Sequence, residues 1–352
     1  MQKVILVLLM FSLLVLAASG ALIWNKINNI ETLSLDTNSA IEFEVAKGTS
    51  LYQVIDNLAQ FGKIDRFSFK IWLQFNPEFR RIQSGVYELP ANVRLVEVLS
   101  LLTKGQVKQF SVALIEGQTI GQWIKALSQA QGVFHNIANK DELYGTLAAI
   151  DYEFCTNKYS SIEGCLLPDT YFYTYGTSSV DILKRALLAM QTYLQDVWPS
   201  RFADIPINSQ YEALILASII EKETAVESER TEIAGVFVNR LNNNMRLQTD
   251  PTVIYGIGDS YDGNITAKHL RTPTPYNTYV IKGLPITPIA MPNKASIQAA
   301  LFPALTDSVY FVATGNGGHQ FSTNLKDHNR AVREYLVQRQ RNNVDKNDKG
   351  TQ

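Results

Sequence analysis

The sequence predicts an α+β body carried on a single N-terminal membrane span. Three observations carry that assignment. An uncharged run, Val4 to Trp24, opens the chain; a strand–helix–helix–strand pattern follows over residues 41–90; and beyond it lie long helical periodicities broken by Pro- and Tyr-rich loops and short extended runs. With 352 residues, 46% of them hydrophobic and 18% charged, the expectation is an ordinary globular chain of two folded domains. The 32 basic and 33 acidic residues give a net charge of -1 with no basic stripe, which removes the electrostatic case for nucleic acid as a partner.

The apolar run, at ~1.5 Å per residue, is long enough for a bilayer core of roughly 30 Å. Lys3 and the amino terminus precede it, so the positive-inside rule leaves residues 1–3 in the cytoplasm and exports everything after Trp24. A cleaved signal peptide competes, because Leu16-Ala-Ala-Ser-Gly-Ala21 offers small residues; the continuation through Leu22-Ile-Trp24 into Asn25-Lys26 favours an anchor over residues 4–24. Residues 25–38 then read as a polar stalk that spans at most about 50 Å when fully extended.

Ile41-Glu-Phe-Glu-Val45 alternates with period two, as a half-buried strand does. After Gly48, Ser50 and Gln53 form a capping box, and Leu51, Val54, Ile55 and Leu58 follow at helical spacing. Phe67 to Phe75 reads as a second helix ended by Asn76-Pro77, and Ser84 to Pro90 as an extended segment. These elements resemble a LysM module, a βααβ fold that binds glycans of N-acetylglucosamine type; with the helix Arg94 to Lys104, capped by Gly105, the module takes residues 39–108. Its opening is repeated: Phe43 to Gln60 aligns with Val112 to Gln129, sharing the glycine, both glutamines and the apolar spacing, so residues 109–150 form a second strand–helix unit.

From Asp151 the texture changes, and a larger mixed α+β domain is expected over 151–342, followed by a polar tail at 343–352. It holds a loop from Gly164 to Tyr175, helices over 180–197 and from Ser228 to the Asn242 run, strands near Thr278–Ile281 and Val309–Val312, and a last helix from Leu325 to Arg341. Cys155 and Cys165 lie in the exported part, where a bond closing a loop of about ten residues is feasible and contributes on the order of 2–3 kcal/mol; two buried thiols are the alternative.

The helix over Tyr211 to Thr224 carries the chemistry. Ser209 and Glu212 cap its start, and it is apolar enough to be a central core element. Ile220, Ile219 and Leu216 stand three, four and seven positions before Glu223, so its carboxyl emerges from an apolar stripe, where the pKa of a carboxyl rises. A carboxyl still protonated near neutral pH can serve as the general acid of glycoside cleavage. Glu221, on roughly the opposite side, has the smaller and more polar Ser218, Ala217 and Leu214 at the same offsets. The plain reading of Glu223 alone is a helix-terminal charge or the partner of a buried arginine. Asp250-Pro251 reads as a turn starter and Asn239-Arg240 as a polar helix end. His319 and His328 come without a metal-binding motif, so neither a metal nor a cofactor is expected.

The segments Ile219-Ile-Glu-Lys-Glu-Thr224, Phe237-Val-Asn-Arg-Leu241, Met245 to Gly256, Thr272 to Tyr279 and Gly283-Leu-Pro285 closely resemble the MltG (YceG-like) family of endolytic murein transglycosylases, and the resemblance spans nearly the whole chain. It implies a membrane-anchored enzyme that cuts nascent peptidoglycan strands between N-acetylmuramic acid and N-acetylglucosamine without water, leaving 1,6-anhydromuramoyl ends and terminating strand elongation. Glu223 would act as acid and then base. The body would sit in the periplasm on the cell inner membrane, with peptidoglycan synthases or division proteins as partners. Gln248, Asp250, Tyr255, Tyr276, Asn277 and Thr278 are the candidate substrate-binding residues, since tyrosine rings stack on sugars and amides and carboxylates pair with hydroxyls. The chain departs from the family at Pro285-Ile-Thr-Pro-Ile289 and Met291-Pro-Asn293, where glycines are usual. A membrane-tethered scaffold with a structural Glu223, or a muramidase using Asp250 or Glu221 as a second carboxylate, are the alternatives, and the chemistry of the product end separates them.

Overall fold

Helix α1 runs unbroken over Gln2–Thr32, and its stretch Leu8–Thr32 is long and apolar enough to cross a membrane. Leu13, Leu16 and Leu22 stand well exposed on it. The computed structural model describes residues 2–148, 153–155, 159 and 161–349. The chain forms two compact units, Met1–Phe110 with Phe172–Thr177, and Ser111–Tyr171 with Ser178–Gln352; the limit expected at 150/151 lies outside the described residues.

In the first unit, β1 (Ile41–Val45), α2 (Leu51–Leu58), α3 (Arg66–Phe75), β2 (Gly85–Leu89) and α4 (Leu95–Lys104) follow in the expected order. β1 and β2 pair antiparallel, with Ile41 opposite Leu89 and Val45 opposite Gly85. α2 opens on the Ser50–Gln53 capping box, and the Asp65 carboxylate caps α3 by accepting from the N–H groups of Phe67 and Ser68. Phe43, Val54, Leu58, Phe69, Trp72, Leu89 and Leu99 close one core. A polar stalk over 25–38 is not what forms: the helix continues to Thr32, rising about 12 Å beyond Trp24, and Ile30 and Leu35 are buried in that same core. Two aliphatic side chains at helical reach of an apolar cluster gain more from burial than from an extended, solvated path.

β3 (Gln109–Leu114) leads into α5 (Ile120–Gln129), and the sequence repeat is a repeat of structure. Gly48 and Gly117 both take positive φ, 87° and 68°, at the turn after the strand, and Thr119 with Gln122 rebuilds on α5 the capping box of α2. After α6 (Lys140–Ala148), the segment expected as a loop contains β4 (Asp169–Thr174), whose alternation buries Tyr171 and Tyr173. Cys155 and Cys165 are joined as a disulfide, their Cα atoms 6.0 Å apart.

The second unit continues with α7 (Ser179–Val197), α8 (Gln210–Glu223), α9 (Arg230–Asn242), α10 (Asp250–Ile257), α11 (Ala267–Arg271), α12 (Lys294–Leu301), the antiparallel ribbon of β5 (Tyr310–Ala313) and β6 (His319–Ser322), and α13 (Leu325–Lys349). Every residue of α8 from Ala213 to Ile220 is buried, so the helix has no solvent face, and α9, α10 and α12 pack around it. The Glu221 carboxylate joins the end of α8 to the start of α12, accepting from the Asn293 N–H at 3.0 Å and the Ser296 hydroxyl at 2.7 Å. Two expectations fail locally. Thr278–Ile281 is a run of turns, because the N–H groups of Val280 and Ile281 both return to the Asn277 carbonyl. Asp250-Pro251 is the first turn of α10, where a proline lacks only an N–H that would be unpaired anyway.

On α9, Gly235 admits the backbone of residue 304: a Cβ there would lie 2.6 Å from the Ala304 carbonyl oxygen and 2.7 Å from the Thr306 methyl. Gly235→Ala gains up to about 1 kcal/mol of helix propensity and meets an overpacking cost of about 1–3 kcal/mol. Because the clash is with backbone, the cost prevails. The variant is expected to lose ~1–2 kcal/mol in urea unfolding with an unchanged m-value; an equal or higher midpoint would show that the 304 segment yields.

Candidate active site

Glu223 is the last residue of α8, reached after two turns of fully buried helix. Its side chain is only part-exposed, and it sits at the helix C-terminus, where the macrodipole disfavours a negative charge. Burial is the main cause of a carboxyl pKa held above the ordinary glutamate value. The Thr249 hydroxyl opposes this by donating to Glu223 Oε1, the charge of Asp250 raises it further, and His319 and Arg240 lower it.

The residue that meets Glu223 is itself fixed from several directions. Thr249 is 3% exposed; its N–H donates to Thr278 Oγ1 at 3.0 Å and its carbonyl accepts from Thr252 Oγ1 at 2.8 Å, while the hydroxyls of Thr252 and Thr278 pair at 2.8 Å. The preceding Gln248 takes φ 53° and donates its N–H to the Thr278 carbonyl. Buried Arg240 holds the same segment from beneath, with Nε on the Val309 carbonyl at 2.6 Å and a terminal nitrogen on the Leu247 carbonyl at 2.7 Å. Arg240 is thus architectural, as its place near a helix end implied.

A second buried carboxyl lies elsewhere in this unit. Glu163, 1% exposed, accepts from the Ile120 N–H at 2.9 Å and from the Tyr255 hydroxyl at 3.2 Å. Burial pushes its pKa up to about 7, against these two donations and the charge of Lys140. The Tyr255 ring meets Tyr276 edge-on at 4.9 Å, and Tyr276 pairs with the Thr287 hydroxyl at 2.9 Å.

The six residues expected to line a sugar cleft therefore divide. Gln248 and Asp250 are exposed beside the Glu223–Thr249 contact, and Asp250 Oδ1 accepts from the Tyr279 hydroxyl at 2.7 Å. Tyr255 and Tyr276 are half-buried in the Glu163 cluster. Asn277 and Thr278 are buried with their polar atoms spent inward: the Asn277 amide donates to the carbonyls of His269, Leu270 and Thr272 and its oxygen accepts from the Tyr279 N–H. They shape the loop and offer no free group to a sugar.

Sequence reasoning missed four participants. Thr249 was hidden as one hydroxyl among many, although its place directly before Asp250-Pro251 marks a helix N-cap. Tyr279 and Glu163 have partners 29 and 92 residues away. His319 pairs with Glu229 and not with His328: its N–H and Nδ1 both reach that carboxylate at 2.8 Å, while His328 stacks on Tyr310. Burial works against the Glu229 charge, but the two His319 contacts outweigh it and hold the carboxyl below its usual range.

A model of the YceG-like family matches residues 43–334. An endolytic murein transglycosylase of Bacillus subtilis is 29% identical over 342 aligned residues, covering 91% of each chain. Another from Streptococcus pneumoniae is 26% identical over 335 residues, which cover 86% of this chain and 60% of that longer one. The crystal structure of a YceG-like protein from Listeria monocytogenes aligns with a TM-score of 0.53 at 28% identity, over 84% of this chain and 99% of the other. With most of its length matched by the family model, and the glutamate-bearing helix and its surrounding loops inside that match, the chain belongs to the YceG-like family.

Proposed function

We propose that this chain is an endolytic murein transglycosylase that cleaves the N-acetylmuramic acid–N-acetylglucosamine bond of peptidoglycan strands. The observation that carries the reading is the Glu223 carboxyl, raised in pKa by burial at the end of α8 and bonded through one oxygen to Thr249. The names of the Bacillus and Streptococcus relatives support the reaction and its substrate. Glu223, protonated in the ground state, gives its proton to the glycosidic oxygen as the bond from that oxygen to the muramic anomeric carbon breaks, and the N-acetylglucosamine residue leaves with a free hydroxyl. The resulting carboxylate, steadied by the Thr249 hydroxyl, then takes the proton of the muramic C6 hydroxyl as that oxygen closes on the anomeric carbon. Both protons pass through one carboxyl, so no second carboxylate takes part. Glu221 is committed to the start of α12, and exposed Asp250 is the group a hydrolytic route would need.

α1 is read as a single-pass anchor in the cell inner membrane, with the amino terminus cytoplasmic and both units in the periplasm. The run of exposed leucines and the Lys3 charge before it support this. The βααβ unit is read as LysM-like, and Gln248, Asp250 and Tyr279 as the groups nearest the sugar at the reacting bond. An enzyme so placed meets strands as they leave a membrane-bound synthase, which makes peptidoglycan synthases or division proteins its natural neighbours.

Glu223→Gln is expected to reduce turnover on the order of 10²–10⁴-fold while leaving the urea midpoint equal or higher, since it removes a carboxyl that burial disfavours. Glu221→Gln should stay within severalfold of the parent enzyme. Mass spectrometry of digested strands separates the two reactions: Glu223-dependent 1,6-anhydromuramoyl ends are expected, and reducing ends would transfer the assignment to a hydrolase with Asp250 as second carboxylate. A fully active Glu223→Gln enzyme would sink the reading.

The pH profile tests the proton itself. The acid must be protonated, so kcat/KM holds below the Glu223 pKa and falls as pH rises through it; the limb should lie above the ordinary glutamate range because the pKa is raised. Thr249 donates to the ionised form, so Thr249→Val should raise the pKa further and move the limb to higher pH. A limb that stays put or moves down would show that Thr249 does not set the charge of Glu223.

A further inference from the structure

Between Asn25 and Phe110 the solvent face of α3 departs from the surface around it. Among the described residues from Asn25 to Phe110, the large apolar side chains left in solvent are Phe67 and Phe75, 64% and 65% exposed, and both are on this helix. They stand eight residues apart, about 12 Å along the axis, and Phe67 lies opposite the buried face of Ser68, Phe69, Trp72 and Leu73. Basic residues are frequent in the sequence around them, and Arg66 and Lys70 lie beside Phe67. Residues 61–81 carry Lys63, Arg66, Lys70, Arg80 and Arg81 against Asp65 and Glu78, in a chain whose net charge is -1. Asp65 is already held by Lys26 and Ser68, and Arg66 reaches Asp56 only at 3.5 Å on the open surface.

The position of this face along α1 indicates what it meets. α1 is unbroken, and Lys26 stands two residues, about 3 Å, past the exposed Trp24. Lys26 Nζ bonds Asp65 Oδ2 at 2.9 Å and sits 6.0 Å from the centre of the Phe67 ring. Ile27 and Ile30, on the next turn of α1, pack into the same core as Phe69 and Trp72. The first turn of α3 is therefore fixed at the height of Lys26, where the uncharged run of α1 that closes at Trp24 gives way to charge.

We propose that the exposed face of α3 docks on the phospholipid surface from which α1 emerges. Phe67 and Phe75 enter the boundary between headgroups and acyl chains, and Lys63, Arg66, Lys70, Arg80 and Arg81 meet anionic headgroups. The inference rests on the reading of α1 as a membrane span. An aromatic centre ringed by bases is the composition that interfacial helices use, and each base near an anionic leaflet adds to the attraction. The contact holds the first unit down against the bilayer instead of letting it swing on the end of α1.

The test uses the full chain in vesicles of phosphatidylcholine mixed with phosphatidylglycerol. A polarity-sensitive probe is placed by Phe67→Cys, Phe75→Cys or, as control, Ala91→Cys. Ala91 is exposed and lies near Val93, whose carbonyl binds Leu35 beyond the far end of α1. Shallow spin-labelled lipids should quench the probes at 67 and 75 severalfold more than the probe at 91. The difference should shrink in pure phosphatidylcholine or with Arg66→Glu and Lys70→Glu together. If an alkaline wash strips the chain from the vesicles, the span reading fails and the docking with it. If the chain is retained and all three probes respond alike, or the 67 and 75 probes respond only to added murein strands, the docking is overturned while the span stands. Equal quenching with and without phosphatidylglycerol would overturn the part given to the bases.

Discussion

A helix with no polar face has to be enclosed, and the second unit is built around meeting that requirement for α8. Eight consecutive buried residues leave α8 nothing to show to water, so α9, α10 and α12 close around it, and Gly235 brings the Ala304 backbone close to α9. The enclosure carries apolar surroundings up to the last turn. There two glutamates diverge by geometry alone. Glu221 faces the start of α12 and finds two donors, whereas Glu223 faces one hydroxyl and the end of a helix dipole. The same core that stabilises the unit makes one carboxyl reluctant to ionise.

Enclosure on one side demands rigidity on the other, because Thr249 has to arrive at Glu223 from a loop. That loop is held as firmly as an element of secondary structure. Arg240 takes up the Leu247 carbonyl within it and the Val309 carbonyl just before β5, the hydroxyls of Thr252 and Thr278 bond to each other and to the Thr249 backbone, and Asn277 grips the end of α11 with three donations. Gln248 is kept at φ 53°, a conformation that costs a non-glycine residue on the order of 1 kcal/mol, and its N–H bond to the Thr278 carbonyl helps hold it there. A polar network of this kind is worth having only when complete, since a buried hydroxyl left unpaired costs more than a bonded one contributes.

Local signals were legible in the sequence and distant pairings were not. The capping residues at Ser50 and Ser209, the strand alternation of Ile41–Val45 and the apolar run of α8 all act within a few residues, and each forms the element its pattern implies. The apolar setting of Glu223 was legible for the same reason, since Leu216, Ile219 and Ile220 stand on its own helix. The stalk failed because Ile30 and Leu35 looked isolated among polar neighbours, and the core that buries them is built by residues 43–102. Thr278–Ile281 has the β-branched composition of a strand, yet no neighbouring strand competes with the turn hydrogen bonds that Asn277 supplies. Asn277 and Thr278 looked like ligands for a sugar because composition does not reveal which way a polar side chain turns.

The proposed chemistry sets opposing demands on one carboxyl, and the surroundings of Glu223 answer both. An acid needs the pKa raised so that a proton is present; a base needs the carboxylate supported once that proton has gone. Burial alone would satisfy the first and make the ionised intermediate costly, while an arginine at hydrogen-bond distance would satisfy the second and strip the acid of its proton. A neutral donor is the compromise. The Thr249 hydroxyl can bond either state of the carboxyl and favours the charged one, and the Arg240 guanidinium acts from further off, spent on backbone carbonyls. In the proposed reaction this division of labour, with desolvation setting the proton and one hydroxyl steadying its loss, would let a single glutamate serve in both steps.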